Sequence, residues 1–186
     1  MKRFFGILLI WVCGLLLTGC GDDFYMHTAK YDEKYFNSMI TAIESGDADN
    51  IKSLFAADLQ ENSDDLDVGI QEILSLYQGK MVSNNSIGSE IKSLSNGYKH
   101  QYSVYEIKTD RGEYCLAYQY QAGGEKDKIG FRHVAMCYQE NFLDEDVVIA
   151  YPQCEGAYAY CSDEAKKRIN KKLEEAGYDF EMQDAF

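Results

Sequence analysis

This sequence is poor in proline, tryptophan and positive charge. Its 186 residues include 1 Pro and 1 Trp, and 18 Lys and Arg stand against 31 Asp and Glu, which gives a formal net charge of −13. A chain with so little proline and with 46% hydrophobic residues is neither collagen-like nor disordered, so we expect one folded domain of ordinary size. The shortage of cations argues against nucleic acid as a partner, because binding to phosphates requires clustered Lys and Arg.

The sequence also lacks the short motifs that mark common enzyme classes and metal sites. It contains no nucleophile elbow, Walker loop, dinucleotide fingerprint or zincin motif. The cysteines show no Cys-x-x-Cys spacing, and the acidic stretch from Asp58 to Asp67 lacks the order of an EF-hand calcium loop. We therefore expect no cofactor and no bound metal, and we interpret the acidic stretch as a solvated loop.

The N-terminus has the pattern of a secretory signal. Lys2 and Arg3 precede an apolar run over residues 4–17, which is shorter than the roughly 20 residues that span a bilayer. The run ends in Leu17-Thr18-Gly19-Cys20, which resembles the lipobox of bacterial lipoproteins, where small residues precede a cysteine that receives a diacylglyceryl group before cleavage. The alternative is an ordinary secretory signal with a chance cysteine at position 20.

The resemblance to a lipobox implies a cellular location for the protein and a division of its N-terminal residues into a signal peptide and a tether. Residues 1–19 would be the removed signal peptide, Cys20 the lipidated first residue of the mature protein, and residues 20–30 a tether. Because two or more acyl chains anchor a protein stably, the membrane is an expected partner through the lipid on Cys20. We expect the protein on the extracytoplasmic face of the bacterial cell membrane.

Hydrophobic spacing beyond the tether predicts helices first and strands afterwards. Helical spacing of apolar residues predicts helices over residues 31–45, over 48–57 with Asp47 as N-cap, and from Asp64 or Asp65 to Gly79. Alternation predicts strands over residues 100–109, 112–122 and 129–140, and another short strand at 147–151. A last helix is predicted from Ser162 to Gly177. This order predicts an α+β fold, with N-terminal helices packed on a curved antiparallel sheet and an extra C-terminal helix.

Four cysteines remain after the signal and lipobox cysteines are set aside, and an extracytoplasmic location permits disulfides. Centring the predicted hairpin on the polar turn at residues 123–128 puts Cys115 opposite Cys137. Cys154 and Cys161 flank a short loop that a disulfide could close. We predict both pairs as possible disulfides, and the alternative for the first pair is two reduced side chains packed against each other.

Several packing and turn residues are similar to those of a known family. The matching segments lie between residues 31 and 138 and are residues 43–48, 54–55, 76–79, 97–99, 105–110, 114–116 and 128–130. They resemble uncharacterised lipoproteins of Gram-positive, clostridial-type bacteria that carry a nuclear transport factor 2-like (cystatin-like) domain. The resemblance implies a cone-shaped domain over residues 31–151, with a cavity between helices and sheet, and no established activity. Residues 152–186, which hold the Cys loop and the last helix, lie outside it.

His133 is the candidate catalytic residue. It is predicted within a strand, opposite Gln119. Fold relatives of this type include small isomerases and dehydratases that use histidine and aspartate pairs inside the cone, although fold does not imply function. A general base there requires a carboxylate to orient it, and the sequence puts no carboxylate in register with His133. The alternative is a packed or edge-exposed histidine.

Tyrosine is abundant, with 15 residues, and six of them crowd the predicted sheet. A tyrosine ring buries apolar surface and presents a hydroxyl, which suits a ligand pocket or an interface. The candidate ligand-binding residues are Tyr105, Tyr118, Tyr120 and Tyr138. The alternative is that these rings fill a half-buried sheet face.

Two functions from different classes follow from these features. The first is a non-catalytic, lipid-anchored module that binds an unknown small molecule or envelope protein. The alternative is a small-molecule hydrolase or isomerase with a site in the cone near His133. A scaffold subunit of an envelope complex is a third hypothesis.

Overall fold

The computed structural model describes residues 22–62, 65–93, 97–142 and 155–175. The described residues up to Phe36 form one compact unit, and those from Asn37 onward form another. Cys20, Cys154 and the strand predicted at residues 147–151 lie outside the described residues. Within the described segments, no helix is both long and apolar enough to cross a membrane.

The α-helices of the described residues are α1 (Asp22–Ser45), α2 (Ala48–Ser53), α3 (Ala57–Asn62), α4 (Leu66–Leu76) and α5 (Asp163–Glu175). The first helix begins inside the predicted tether, in a segment that contains neither Pro nor Gly to stop it. It ends where Gly46 adopts a φ of 70° and donates its N–H to the carbonyl of Ile43. Asp47 caps α2, as predicted, by accepting the N–H groups of Asp49 and Asn50.

The helix predicted over residues 48–57 is interrupted in the structure. The carbonyl of Leu54 accepts the N–H of Phe131 at 3.1 Å, and the N–H of Ala56 donates to the carbonyl of Phe131 at 3.1 Å. Phe55 is therefore drawn out of the helix into an isolated bridge with Phe131. A pairing between residues so far apart in sequence has no signature in local spacing, so the helix was predicted to continue through Phe55 to residue 57. The acidic stretch that follows was interpreted as a solvated loop, and this is corrected, because its first residues belong to α3 (Ala57–Asn62).

The apolar stripe predicted for α4 is confirmed, because Leu66, Ile70, Ile73 and Leu76 are buried at helical spacing. Asp65 occupies the N-cap position but makes no capping hydrogen bond with its side chain. Its carboxylate instead forms an ion pair with Lys172 of α5. A second ion pair, between Arg168 and Glu72, also ties α5 to α4.

Over the described residues, the sheet has five strands in the order β1 (Met81–Ser93), β2 (Lys99–Thr109), β3 (Glu113–Gln121), β4 (Gly130–Tyr138) and β5 (Gly156–Ala159). Strands β1 to β4 form an antiparallel meander, whereas β5 pairs with β4 in parallel. The predicted α+β class is confirmed, and the expectation of a purely antiparallel sheet is corrected to a mixed one. The fifth strand lies in the segment that the sequence suggested was a cysteine-flanked loop. Short 3-10 turns at Lys126–Lys128 and Gln139–Asn141 flank β4.

The predicted register of the β3–β4 hairpin is confirmed. Cys115 pairs with Cys137 and Gln119 pairs with His133, as the centring on the turn requires. The register shifts after Gln119, so Arg132 is the extra residue of a bulge. The buried guanidinium of Arg132 is held there by ion pairs with Asp58 and Glu155.

One side of the sheet, the aromatic face, carries Tyr114, Tyr118 and Phe131. Phe55, beyond α2, contacts the ring of Phe131 with centroids 6.4 Å apart, and Tyr77, at the end of α4, contacts Tyr114 at 5.2 Å. The N-terminal helices from α2 to α4 therefore pack toward this face. Rings that large fill the layer between helices and sheet.

The other side, the cysteine face, carries small side chains in its centre. One buried cluster combines these with side chains of the C-terminal segment: Cys115, Ala117, Ala135, Cys137, Tyr158, Tyr160 and Ile169. The small residues leave room for the two tyrosines, so the C-terminal segment completes the core rather than extending from it.

The backbone of α4 approaches β5 closely at a glycine. A Cβ atom on Gly69 would lie 1.7 Å from the carbonyl oxygen of Ala157, so only glycine fits at this position. This contact fixes the C-terminal strand against the N-terminal helices.

Candidate functional site

His133 lies on the cysteine face and is 4% exposed. Its ring centroid is 5.5 Å from that of Tyr158, and it pairs across the strands with Gln119. It therefore does not face α2 to α4, and a site in a cone between those helices and the sheet would not include it. A catalytic role for His133 stays a prediction.

Two polar side chains accompany His133 on this face. The Nε2 of Gln119 donates to Nδ1 of His100 at 2.7 Å, while the buried Oε1 of Gln119 has no hydrogen-bond partner. Burial lowers the pKa of His100, and the positive charge of Arg132 lowers it further. The neutral imidazole favoured by that shift is the form that can accept the amide hydrogen.

The candidate tyrosines separate into two groups. Tyr105, Tyr118 and Tyr120 share the aromatic cluster around Phe131, with Tyr105 stacked on Tyr118 at 6.3 Å and Tyr120 edge-on to Phe131 at 5.1 Å. Tyr105 and Tyr118 are buried, and burial raises the pKa of Tyr120. These three rings serve as core packing in this structure. Tyr138 lies apart from them and is 38% exposed.

The three cysteines that the structure describes, Cys115, Cys137 and Cys161, are reduced thiols. Cys115 and Cys137 are fully buried, and a hydrogen bond between the two thiols lowers the pKa of Cys115. Cys161 is half-buried just beyond β5, and burial raises the pKa of its thiol. Cys154 is outside the described residues, so its predicted disulfide with Cys161 stays a prediction. Cys115 and Cys137 have here the reduced, packed arrangement that was the alternative for that pair, and their oxidation on export stays a prediction.

A surface groove surrounds Tyr138. It has a volume of about 460 Å³ and is lined by Glu113, Tyr138, Gln139 and Glu140, and we call it the Tyr138 groove. A second groove of about 240 Å³ shares Glu113 and Gln139 with it and continues across β2 and β1, along Ser83, Asn84, Asn85, Glu106, Ile107 and Lys108. Neither groove is lined by His133.

The β3–β4 hairpin positions the lining residues of the Tyr138 groove. Glu113 begins β3 and Tyr138 ends β4, where the chain turns into the 3-10 segment that holds Gln139 and Glu140. The ring of Tyr138 stacks on Tyr114, with centroids 5.6 Å apart, which fixes its orientation at the groove. One end of the hairpin therefore supplies both the ring and the carboxylates.

Hydrogen bonds hold the polar groups of the two grooves. Lys108 Nζ forms an ion pair with Glu113 Oε1 at 2.6 Å, and that hydrogen bond raises the pKa of Lys108. The carboxylate of Glu106 accepts from Asn85 Nδ2 at 3.1 Å and from Gln139 Nε2 at 3.0 Å. The arrangement offers acceptors, an aromatic surface and few cations, which suits binding of a polar ligand. Over the described residues, no group of three or more His, Cys, Asp or Glu could hold a metal ion.

Among the sequence candidates that the structure describes, Tyr138 is the one that lines the Tyr138 groove. Glu113, Gln139 and Glu140 were missed as a site, although the confirmed hairpin register contains the signal for it. Extending the pairing of Tyr114 with Tyr138 by one residue brings Glu113 beside Gln139. Hydrophobic alternation marks the interior of a strand and gives no signal for polar residues at its ends.

Comparison with known proteins gives one family match. Residues 38–140, more than half of the chain, match the family described as a domain of unknown function (DUF5104). The matched region includes every lining residue of the Tyr138 groove and stops before β5 and α5. No curated protein matches this sequence.

Proposed function

This chain belongs to the DUF5104 family of domains of unknown function, and from that premise we propose that it is a non-catalytic binding module, lipid-anchored on the outer face of a bacterial cell membrane. Its ligand site in this proposal is the Tyr138 groove. The observation that carries the proposal is the groove itself, where an exposed ring and carboxylates meet in a volume of about 460 Å³.

Support for the anchor comes from the N-terminal sequence. A dibasic start, a short apolar run and Leu17-Thr18-Gly19-Cys20 are the elements of a lipoprotein signal. A diacylglyceryl group on Cys20 adds enough buried methylene groups to hold the chain at the bilayer surface. The module would then meet ligands outside the cytoplasm, where a secreted protein works.

The fold proposal is a nuclear transport factor 2-like cone of the kind found in clostridial-type lipoproteins. The order of helices before a four-stranded antiparallel meander is compatible with that cone. The parallel strand β5 and helix α5 are additions beyond it.

Support for binding rather than catalysis comes from the chemistry of the groove. A volume of this size lies within the range of small-ligand sites, which combine apolar surface with a few oriented polar groups. Its four lining residues supply carboxylates, an amide and a phenol ring, which together offer hydrogen-bond acceptors and donors and an apolar surface to a ligand. Recognition is the function that such a lining performs best.

The anchor is tested by expressing the full chain in a bacterium that lipidates its exported proteins. We expect the wild-type chain in the membrane and detergent phases, with an acylated N-terminal peptide in the mass spectrum. Cys20→Ala should lose the acyl mass, whereas Cys13→Ala should keep it because that cysteine lies within the removed leader. Acylation of Cys20→Ala would contradict the proposed lipidation site.

The groove is tested by a ligand screen against the full chain purified in a non-ionic detergent. Binding to the native state raises the free energy of unfolding by about 2.7 kcal/mol at 100 times the dissociation constant, so thermal shifts can report it. Compounds that stabilise the wild type should fail to stabilise Tyr138→Ala, and they should still stabilise Tyr31→Ala, a change at an exposed tyrosine outside the matched region. The proposal would be contradicted if every stabilising compound stabilised Tyr138→Ala as much as the wild type.

A further inference from the structure

The charges around the Tyr138 groove favour a ligand with a positive charge. The groove and its neighbour are lined by three carboxylates, those of Glu106, Glu113 and Glu140, and by one ammonium group, that of Lys108. The whole chain carries a net charge of −13, so its field also attracts cations toward such a depression. A phosphate or carboxylate ligand would meet like charge on approach.

The hydrogen bonds already present show which acceptors are left for a ligand. Glu106 accepts two amide hydrogens, from Asn85 and Gln139, and Glu113 Oε1 is engaged by Lys108. Glu140 is exposed on the 3-10 turn that borders the groove. A ligand ammonium group can donate its three N–H groups to carboxylate oxygens on this side of the groove.

The ring of Tyr138 supplies the second, apolar half of the recognition. It is held by stacking on Tyr114 and is 38% exposed, so it can pack against a hydrocarbon stem. A cation close to the ring is attracted further by the ring quadrupole. The combination of ring and carboxylates fits an ammonium group carried on a short aliphatic chain.

We infer that the Tyr138 groove binds a primary alkylammonium group, presented either by a free amine or by a lysine side chain of a peptide. This inference rests on the proposed function and names the ligand class for the same groove. The ammonium group lies between the carboxylates of Glu113 and Glu140, and the aliphatic stem lies on the ring of Tyr138.

The test is calorimetric titration of the full chain in non-ionic detergent with three matched probes. These are 1,5-diaminopentane, its neutral isostere 1,5-pentanediol and the dianion glutarate. We expect the diamine to bind about tenfold or more tightly than the diol, to weaken as salt rises, and glutarate not to bind. A tetralysine peptide with blocked termini is the fourth probe, and it identifies a peptide source if it binds more tightly than the diamine.

Variants locate the binding. Tyr138→Leu should weaken diamine binding by about 2- to 30-fold, the range expected from cation–ring attraction. Glu140→Gln should weaken it by about 2- to 5-fold, because an exposed charge contact contributes at most about 1 kcal/mol. Glu90→Gln changes an exposed carboxylate on β1 outside both grooves and should leave the affinity within about twofold.

The outcomes separate this inference from the proposed function. Equal binding of diamine and diol, or binding of glutarate, overturns the alkylammonium assignment. If either ligand then loses affinity in Tyr138→Leu, the binding function of the groove still stands. Diamine binding that is unchanged in both groove variants overturns the site. No binding by any of the four probes overturns the ligand class, and the wider screen against Tyr138→Ala then decides whether the binding function survives.

Discussion

Replacing Gly69 with alanine should destabilise this protein, which is the reverse of the usual effect inside a helix. At an ordinary helical position, glycine to alanine stabilises by about 1 kcal/mol. In α4 the new Cβ would lie 1.7 Å from the carbonyl oxygen and 2.5 Å from the carbonyl carbon of Ala157. Both atoms belong to the backbone of β5, so no side-chain rotation can relieve the overlap, and either the helix or the strand must move.

The size of the effect follows from these two opposing contributions. Overpacking a well-packed core costs about 1–3 kcal/mol, and an overlap with backbone belongs at the upper end, about 3 kcal/mol. Subtracting the helix gain of about 1 kcal/mol leaves a net loss of about 2 kcal/mol. For a chain of this size that corresponds to a fall in Tm of about 4–8 °C.

Urea denaturation and calorimetry of the full chain measure the loss. Gln71→Ala is the matched control, because it adds the same helix former at an exposed position of α4 and should change stability by less than about 0.5 kcal/mol. Displacement of β5 should also speed alkylation of Cys161, which lies just beyond that strand. If Gly69→Ala proves as stable as Gln71→Ala, the close approach of α4 to β5 is wrong.

Three further perturbations test other parts of the fold. Asp47→Ala should lower the free energy of unfolding by about 1 kcal/mol in urea melts, because the first turn of α2 loses its cap. Because burial and the charge of Arg132 lower the pKa of His100, the unfolded histidine, with a pKa of about 6.5, takes up a proton before the folded one does. The urea midpoint should therefore fall as pH drops below about 6.5, and less steeply in His100→Gln; parallel profiles would contradict this assignment. If Cys115 and Cys137 form a disulfide on export, both should resist alkylation under denaturing conditions until a reductant is added. Cys115→Ala should then lower the free energy of unfolding by about 3 kcal/mol, the stabilisation expected from closing that loop. Two thiols that react without reductant would show that the pair is reduced and packed in the exported protein.

The sequence was most informative where the structure depends on local spacing. The β3–β4 hairpin has a polar turn and alternating side chains, so its register, including Cys115 opposite Cys137, could be predicted. The stripe of α4 and the cap at Asp47 were predicted for the same reason, since helical contacts link residues three or four apart. β1 was missed because residues 82–90 are exposed on both faces, and a strand that buries little shows no hydrophobic alternation.

The candidate site shows what could not be predicted from the sequence. Tyr138 was a candidate together with Tyr105, Tyr118 and Tyr120 because all four belong to the tyrosines that crowd the predicted sheet. Local pattern cannot distinguish a ring that packs under helices from one that ends a strand at the surface, because burial depends on which elements cover each end of the sheet. The structure buries Tyr105 and Tyr118 and exposes Tyr138 beside Glu113.

Taken alone, the chain's composition and spacing established an α+β domain, helices before a meander, and the pairing of one hairpin. Tertiary contacts decided the rest: the parallel partner of β4, the break in the helix at Phe55, and the meeting of α4 with β5 at Gly69. Each of these joins residues far apart in sequence, and its stability comes from apolar surface buried when the elements meet. Hydrophobic spacing reports which residues of one helix or strand share a face. Which surfaces are buried between different elements is determined only when the chain folds.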